Sequence, residues 1–157
     1  MKHRTIHSPI GGLLLSAQAG RLCGVRLAQQ VEMMDDGDPV LDEAERQLAQ
    51  YFAGKRRTFD LPLSLEGSAF EQDVWRQLLA IPFGEIRSYG QIAAEIGKPK
   101  AFRGVGRACS RNPLLIVVPC HRVVAASGAL TGFAAGMAAK KTLLICEGWT
   151  IRDDKLA

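Results

Sequence analysis

The chain has 157 residues, 47% of them hydrophobic, and a formal net charge of +4. That composition supports one ordinary domain or two small ones with a real core, and it excludes an intrinsically disordered chain. No apolar run reaches the roughly 18 residues that cross a bilayer, and the N-terminus lacks a signal-peptide core, so a cytoplasmic protein with no membrane partner is expected.

In chain order, residues 11–16 and 21–27 read as two strands around an Ala19-Gly20 turn. Residues 35–38 form a loop. Apolar residues at 41, 44, 48, 51 and 52 have a helical period, acids enrich the first turn, and Gly54 closes the helix. Residues 58–65 read as a short strand or linker. The first third is thus a small α+β lobe.

The character changes near Gly67. Ser68 with Glu71 three residues on makes a capping box ahead of a stripe of Phe70, Val74, Trp75, Leu78 and Leu79. Pro82-Phe83-Gly84 ends it. A second helix over 89–96, capped by Ser88, turns Ile92, Ala93 and Ile96 inward. A third runs over 100–109. Their joint at Gly97-Lys98-Pro99 matches a helix-turn-helix. Residues 74–111 carry seven Lys/Arg against two acids, which is either a polyanion footprint or a solvated face. Gly104 and Gly106 cost a helix about 1 kcal/mol each relative to alanine. A face that another molecule approaches closely would explain them.

The β-branched run at 114–118 predicts a buried strand that Pro119 stops, placing Cys120 and His121 at its end. A thiolate is the attacking species, and it needs a base or nearby positive charge at neutral pH. His121 is adjacent, although strand neighbours face opposite ways, so a bend or a bridging water is required. Glu147 is the acid best placed to orient the imidazole. Residues 123–124 continue as a strand or turn, 127–136 form a small-residue loop, 140–147 form the last helix, and the tail from Arg152 is expected to fray. The other cysteines, Cys23, Cys109 and Cys146, make no CxxC pair, so neither a zinc site nor a disulfide framework is expected. Cys23 and Cys146 should pack as small hydrophobes.

Pro119-Cys120-His121-Arg122-Val123-Val124 resembles the active-site motif of the O6-alkylguanine-DNA alkyltransferases, the methylated-DNA–protein-cysteine methyltransferases. Phe70-Glu71-Gln72-Asp73-Val74-Trp75, Ile81-Pro82-Phe83-Gly84, Ser88-Tyr89-Gly90-Gln91-Ile92-Ala93, Asn112-Pro113, Ser127-Gly128 and Glu147-Gly148 fall at the family's spacing, as does Tyr51-Phe52-Ala53-Gly54. The resemblance implies an α+β fold. A small ribonuclease-H-like lobe at 1–65 would precede a mostly helical domain at 66–157 with the helix-turn-helix and the active cysteine.

It further implies direct-reversal repair of double-stranded DNA, by stoichiometric and irreversible transfer of the alkyl group of O6-alkylguanine to Cys120, with O4-alkylthymine as a second candidate substrate. No cofactor or metal is implied. Cys120 would be the acceptor. His121, through a water, and Glu147 would be its relay, Tyr89 would push the phosphate and donate a proton, and Asn112 would brace the turn. Binding would be through the minor groove with the base flipped out. Arg103 would fill the stack, and Tyr89, Lys100, Ala101, Gly104 and Arg107 would belong to the DNA face. Val123, Ser127, Gly128, Phe133, Ala134, Ala135 and Trp75 would form the base pocket. Clustering of copies along DNA is left open.

Phe102, Gly104, Phe133 and Ala135 depart from the family pattern. Phe102 would pack inward or act as an added wedge, and Ala135 would restrict the loop if that position needs positive φ. The rival readings are a lesion-sensing DNA-binding protein without transfer, and a papain-like hydrolase. Cys120 argues against the first, and the adjacent Cys-His order against the second.

Overall fold

The computed structural model describes residues 1–28 and 33–157. Contacts divide the chain into two compact units: Met1–Leu65 with Pro113–Leu115, and Glu66–Asn112 with Ile116–Ala157.

In the first unit, β1 (Lys2–Ile6), β2 (Leu13–Gln18) and β3 (Arg21–Leu27) form an antiparallel sheet in that order. β1 is a strand that the sequence pattern does not predict. The β2–β3 hairpin closes through Ala19 and Gly20, both at positive φ (52° and 75°), which matches the twist of its strands. Helix α1 (Pro39–Phe52) starts on Asp38, whose carboxylate accepts from the Val40 and Leu41 amides, with Pro39 in the first turn. Of the predicted apolar stripe Leu41, Ala44, Leu48 and Tyr51 are buried and Phe52 is partly so, while the polar Gln47 is buried beside them. Residues 58–65 are a linker with one bridge, Leu63 to Leu22.

The second unit holds α2 (Ala69–Leu79), β4 (Arg87–Ser88), α3 (Tyr89–Glu95), α4 (Phe102–Ser110), one 3₁₀ turn (Cys120–Arg122), β5 (Val123–Val124), α5 (Met137–Cys146), and the hairpin β6 (Ile151–Arg152) and β7 (Lys155–Leu156). The Ser68–Glu71 capping box forms as expected, and a second one, Ser88–Gln91, fixes the start of α3. β4 pairs in parallel with β5, which joins the entrance of α3 to the cysteine segment.

Several expectations are corrected. The run at 114–118 is buried but is not a strand. Leu114 makes a single bridge to Val25, and Ile116 turns at φ 72°, a strained value for a β-branched residue. The tail does not fray. Asp153 and Asp154, both at positive φ, turn the β6–β7 hairpin, and Leu156 packs on Val124, Leu130 and Leu144. Leu79 at the end of α2 is exposed, Ile96 is only partly buried, and Cys146 is exposed rather than packed. No described helix is long and apolar enough to cross a membrane.

Candidate active site

The cysteine is presented by two tight turns rather than by a strand end. Pro119 has φ −82° and ψ 62°, and the Cys120 amide donates to Val118 O at 2.8 Å, which is an inverse γ-turn. The 3₁₀ turn follows at once, with the Arg122 amide on Pro119 O at 3.0 Å. The chain thus bends between the two residues, but among the described residues no direct Cys120–His121 hydrogen bond forms.

Asn112, at the end of α4, donates from Nδ2 to Val118 O (2.7 Å) and to Cys120 Sγ (3.1 Å). One buried amide thus ties the turn to the sulfur. The thiol is 1% exposed, and burial pushes it up to about 11. The Asn112 hydrogen bond and the Lys140 charge pull the other way. Cys120 is therefore a thiol at rest at neutral pH, and reaction requires that its proton be taken.

The imidazole of His121 is beside it in sequence. His121 Nε2 lies 2.6 Å from Glu147 Oε2, and neither side chain is exposed. A carboxylate only accepts, so Nε2 carries the hydrogen and the Nδ1 lone pair is free to take another. Among the described residues Nδ1 has no hydrogen-bond partner. Burial lowers the His121 pKa, against the raising effect of Glu147, which keeps the ring a neutral base near pH 7.

Two charged residues absent from the sequence-based site complete it. Arg122 grips Glu147 bidentately, Nε to Oε1 at 2.8 Å and Nη2 to Oε2 at 3.1 Å, and donates from Nη1 to Ile81 O at 2.6 Å. The Gly84 amide adds a fourth donor to Glu147, at 3.1 Å. Lys140 is wholly buried, its Nζ donating to Val123 O (2.6 Å) and Thr131 O (2.8 Å), and burial lowers its pKa to about 8. It still carries most of its charge at neutral pH, on the side that favours a thiolate. Lys140 lies one turn before Leu143 and Leu144 on the buried face of α5. A lysine inside the apolar stripe was the available signal.

Tyr89, the first residue of α3, donates its hydroxyl to Thr131 O at 3.0 Å and thereby holds the loop after β5. The Phe133 ring stands edge-on to His121, centroids 6.5 Å apart. The loop's positive-φ positions are Gly128, Gly132 and Gly136. Ala135 is not one of them, so the strain considered for it does not arise. Among the described residues no three His, Cys, Asp or Glu side chains come together as metal ligands.

A family model described as the 6-O-methylguanine DNA methyltransferase ribonuclease-like domain matches residues 1–65, and one described as the DNA binding domain of the same methyltransferase matches residues 69–149. The chain belongs to this family. The methylated-DNA–protein-cysteine methyltransferase of Methanosarcina acetivorans is 45% identical, covering 94% of this chain and 99% of its own. The constitutive enzyme of that name from Bacillus subtilis is 43% identical over 91% and 92%. The crystal structure of Mycobacterium tuberculosis OGT in complex with DNA is similar at 46% identity and a TM-score of 0.87, covering 94% of this chain and 92% of that one.

Within the alkyltransferase, Cys120, His121, Glu147, Asn112, Tyr89 and Val123 all belong to the second unit, and direct hydrogen bonds link Cys120 to Asn112 and His121 to Glu147. Four of the expected pocket residues have the following surroundings. Trp75 is a core residue between α2 and α4, 1% exposed, its Nε1 donating to Ala108 O. Ser127 and Gly128 line a separate cavity of about 510 Å³ with Ile86, Ser88, Val124 and Trp149. Ala134 is exposed. On α4 and the turn before it, Lys100, Arg103 and Arg107 are exposed, with Ala101 and Gly104 partly so. A Cβ on Gly104 would meet the Phe70 ring at 3.1 Å, so packing against α2 already explains that glycine.

Proposed function

We propose that this direct-reversal cysteine alkyltransferase removes the alkyl group from O6 of guanine in duplex DNA onto Cys120. His121 Nδ1 takes the thiol proton, directly or through water. The Sγ–carbon bond forms as the carbon–O6 bond breaks, and the proton is returned to the purine ring by way of the Tyr89 hydroxyl. The product is a thioether and an intact guanine. A thioether has no ready leaving route, so each molecule acts once. O4-alkylthymine is a second substrate of the same chemistry.

His121, Glu147 and Asn112 carry the roles their hydrogen bonds suggest. Val123 O, pinned by Lys140, reads the exocyclic amine, and Phe133 and Ala135 wall the pocket. The reacting atom lies inside the stack, so the base must be turned out of the helix. Arg103, planar and permanently charged, fills the gap from the minor groove. Tyr89, Lys100, Ala101, Gly104 and Arg107 line the same approach. Residues 1–65 act as scaffold and 66–157 carry DNA binding and chemistry. Copies that cluster along DNA would show a binding slope above one on long duplexes.

The observation that carries this reading is the buried thiol on Asn112 beside a histidine whose far nitrogen is fixed by Glu147. The test is stoichiometry. Protein mixed with excess duplex containing O6-methylguanine should remove one lesion per molecule and then stop. Tight binding with no lesion removed would favour the sensing role, and continued turnover would contradict a dead-end thioether.

A further inference from the structure

α4 presents an aromatic side chain where a DNA-reading helix meets its ligand, and the mechanism above makes no use of it. Phe102, the first residue of α4, is 49% exposed. Among the described residues it is the one aromatic among the exposed large apolar side chains.

Helical spacing places it. Residues 102, 106 and 109 follow one stripe at i, i+4 and i+7. That stripe passes Gly106, where a Cβ would lie 3.9 Å from the Tyr89 ring, and ends on buried Cys109. Arg103, Arg107 and Ser110 follow the next stripe, and all three are exposed. Phe102 therefore stands at the outer end of the Tyr89 side of α4, next to the basic edge. Lys98 and Lys100 precede it in the turn. An exposed apolar ring close in sequence to the exposed Lys100, Arg103 and Arg107 calls for a polyanion that also offers flat apolar surface, and duplex DNA offers both in its bases and sugars. Binding of the ring to an anionic membrane surface is an outcome that the test below separates.

We propose that Phe102 is a second wedge: its ring enters the groove beside Arg103 and packs on the base and sugar next to the extruded nucleotide. The inference rests on the DNA-facing reading of α4 given above. Arg103 fills the space of the missing base, and Phe102 supports the neighbouring base that has lost its stacking partner.

The test compares unaltered protein with Phe102→Ala and Phe102→Leu on a duplex carrying O6-methylguanine next to 2-aminopurine. Free O6-benzylguanine serves as a substrate that needs no duplex, and binding to anionic phospholipid vesicles is measured alongside. Phe102→Ala should weaken duplex affinity roughly tenfold at fixed salt, within the range for loss of one base–aromatic stack. The salt slope should hold, because no phosphate contact is removed. The 2-aminopurine signal of unstacking should fall, Phe102→Leu should recover part of both effects, and the rate on free O6-benzylguanine should not change.

Unaltered affinity and fluorescence in Phe102→Ala would overturn the inference. So would a parallel loss on the free base, a shallower salt slope, or a loss confined to anionic vesicles. Failure of the unaltered protein to react with duplex and free base alike would instead sink the functional reading, so the two failures are distinguishable.

Discussion

Two arginines organise charge in this protein in opposite ways. Arg4 on β1 pairs with Asp35, Asp42 and Glu45, and these acids are 74%, 68% and 49% exposed. Arg122 pairs with Glu147, which is fully buried and shared with His121 and the Gly84 amide. The first cluster ties a strand to a loop and a helix: the Arg4 side chain is only 10% exposed, but its acids stand in water, which screens each pair so that each is worth little. The second keeps a carboxylate in one orientation inside the core, where removing one partner strands the other. The contrast separates a charge cluster that braces the fold from one that aims a base.

That contrast can be broken or sharpened by substitution. The largest effect is expected at the sulfur itself. Cys120→Ser should reduce transfer below detection while duplex binding persists, read by single-turnover removal of the lesion beside a binding titration. Glu147→Gln should slow transfer by about 10²–10⁴ at most, the range that general-base catalysis contributes, because it weakens the orientation of His121. In the unaltered protein the pH–rate profile should be level through neutrality and fall only below pH 6.5, because burial holds the His121 pKa below that value. An inflection above 6.5 would mean that Glu147 outweighs burial.

Next comes Arg122→Met, expected to cost about 3–5 kcal/mol in urea denaturation, since it leaves a buried carboxylate short of its cation. The smallest effect is expected for Arg4→Met, about 1 kcal/mol, with no change in transfer rate. Equal losses at the two arginines would erase the distinction between them.

Much of the fold was legible because its signals are local. The Ser68–Glu71 pair and Ser88 start helices where they should, and the small residues at 19 and 20 turn the hairpin. What stayed hidden depends on distant partners. β1 needs β2 beside it to be a strand. The run at 114–118 has the composition of a strand, yet Val25 engages only part of it before Ile116 turns away. The last hairpin has only two residues in each strand and is secured by packing against Val124, Leu130 and Leu144.

The site divides similarly. Cys120, His121 and Glu147 could be named from the motif and its spacing. Arg122 stands in the motif without a role assigned to it, and Lys140 stands outside it, because each is explained by a group remote in sequence: Val123 O and Thr131 O for the lysine, Ile81 O and Glu147 for the arginine.

The most direct test is peptide mass mapping after the protein meets one equivalent of duplex bearing O6-methylguanine. A single methyl group in place of a hydrogen is expected on the peptide that contains Cys120, and none on those with Cys23, Cys109 or Cys146. A methyl group on a different cysteine, or an unmodified protein holding an unrepaired duplex, would contradict it.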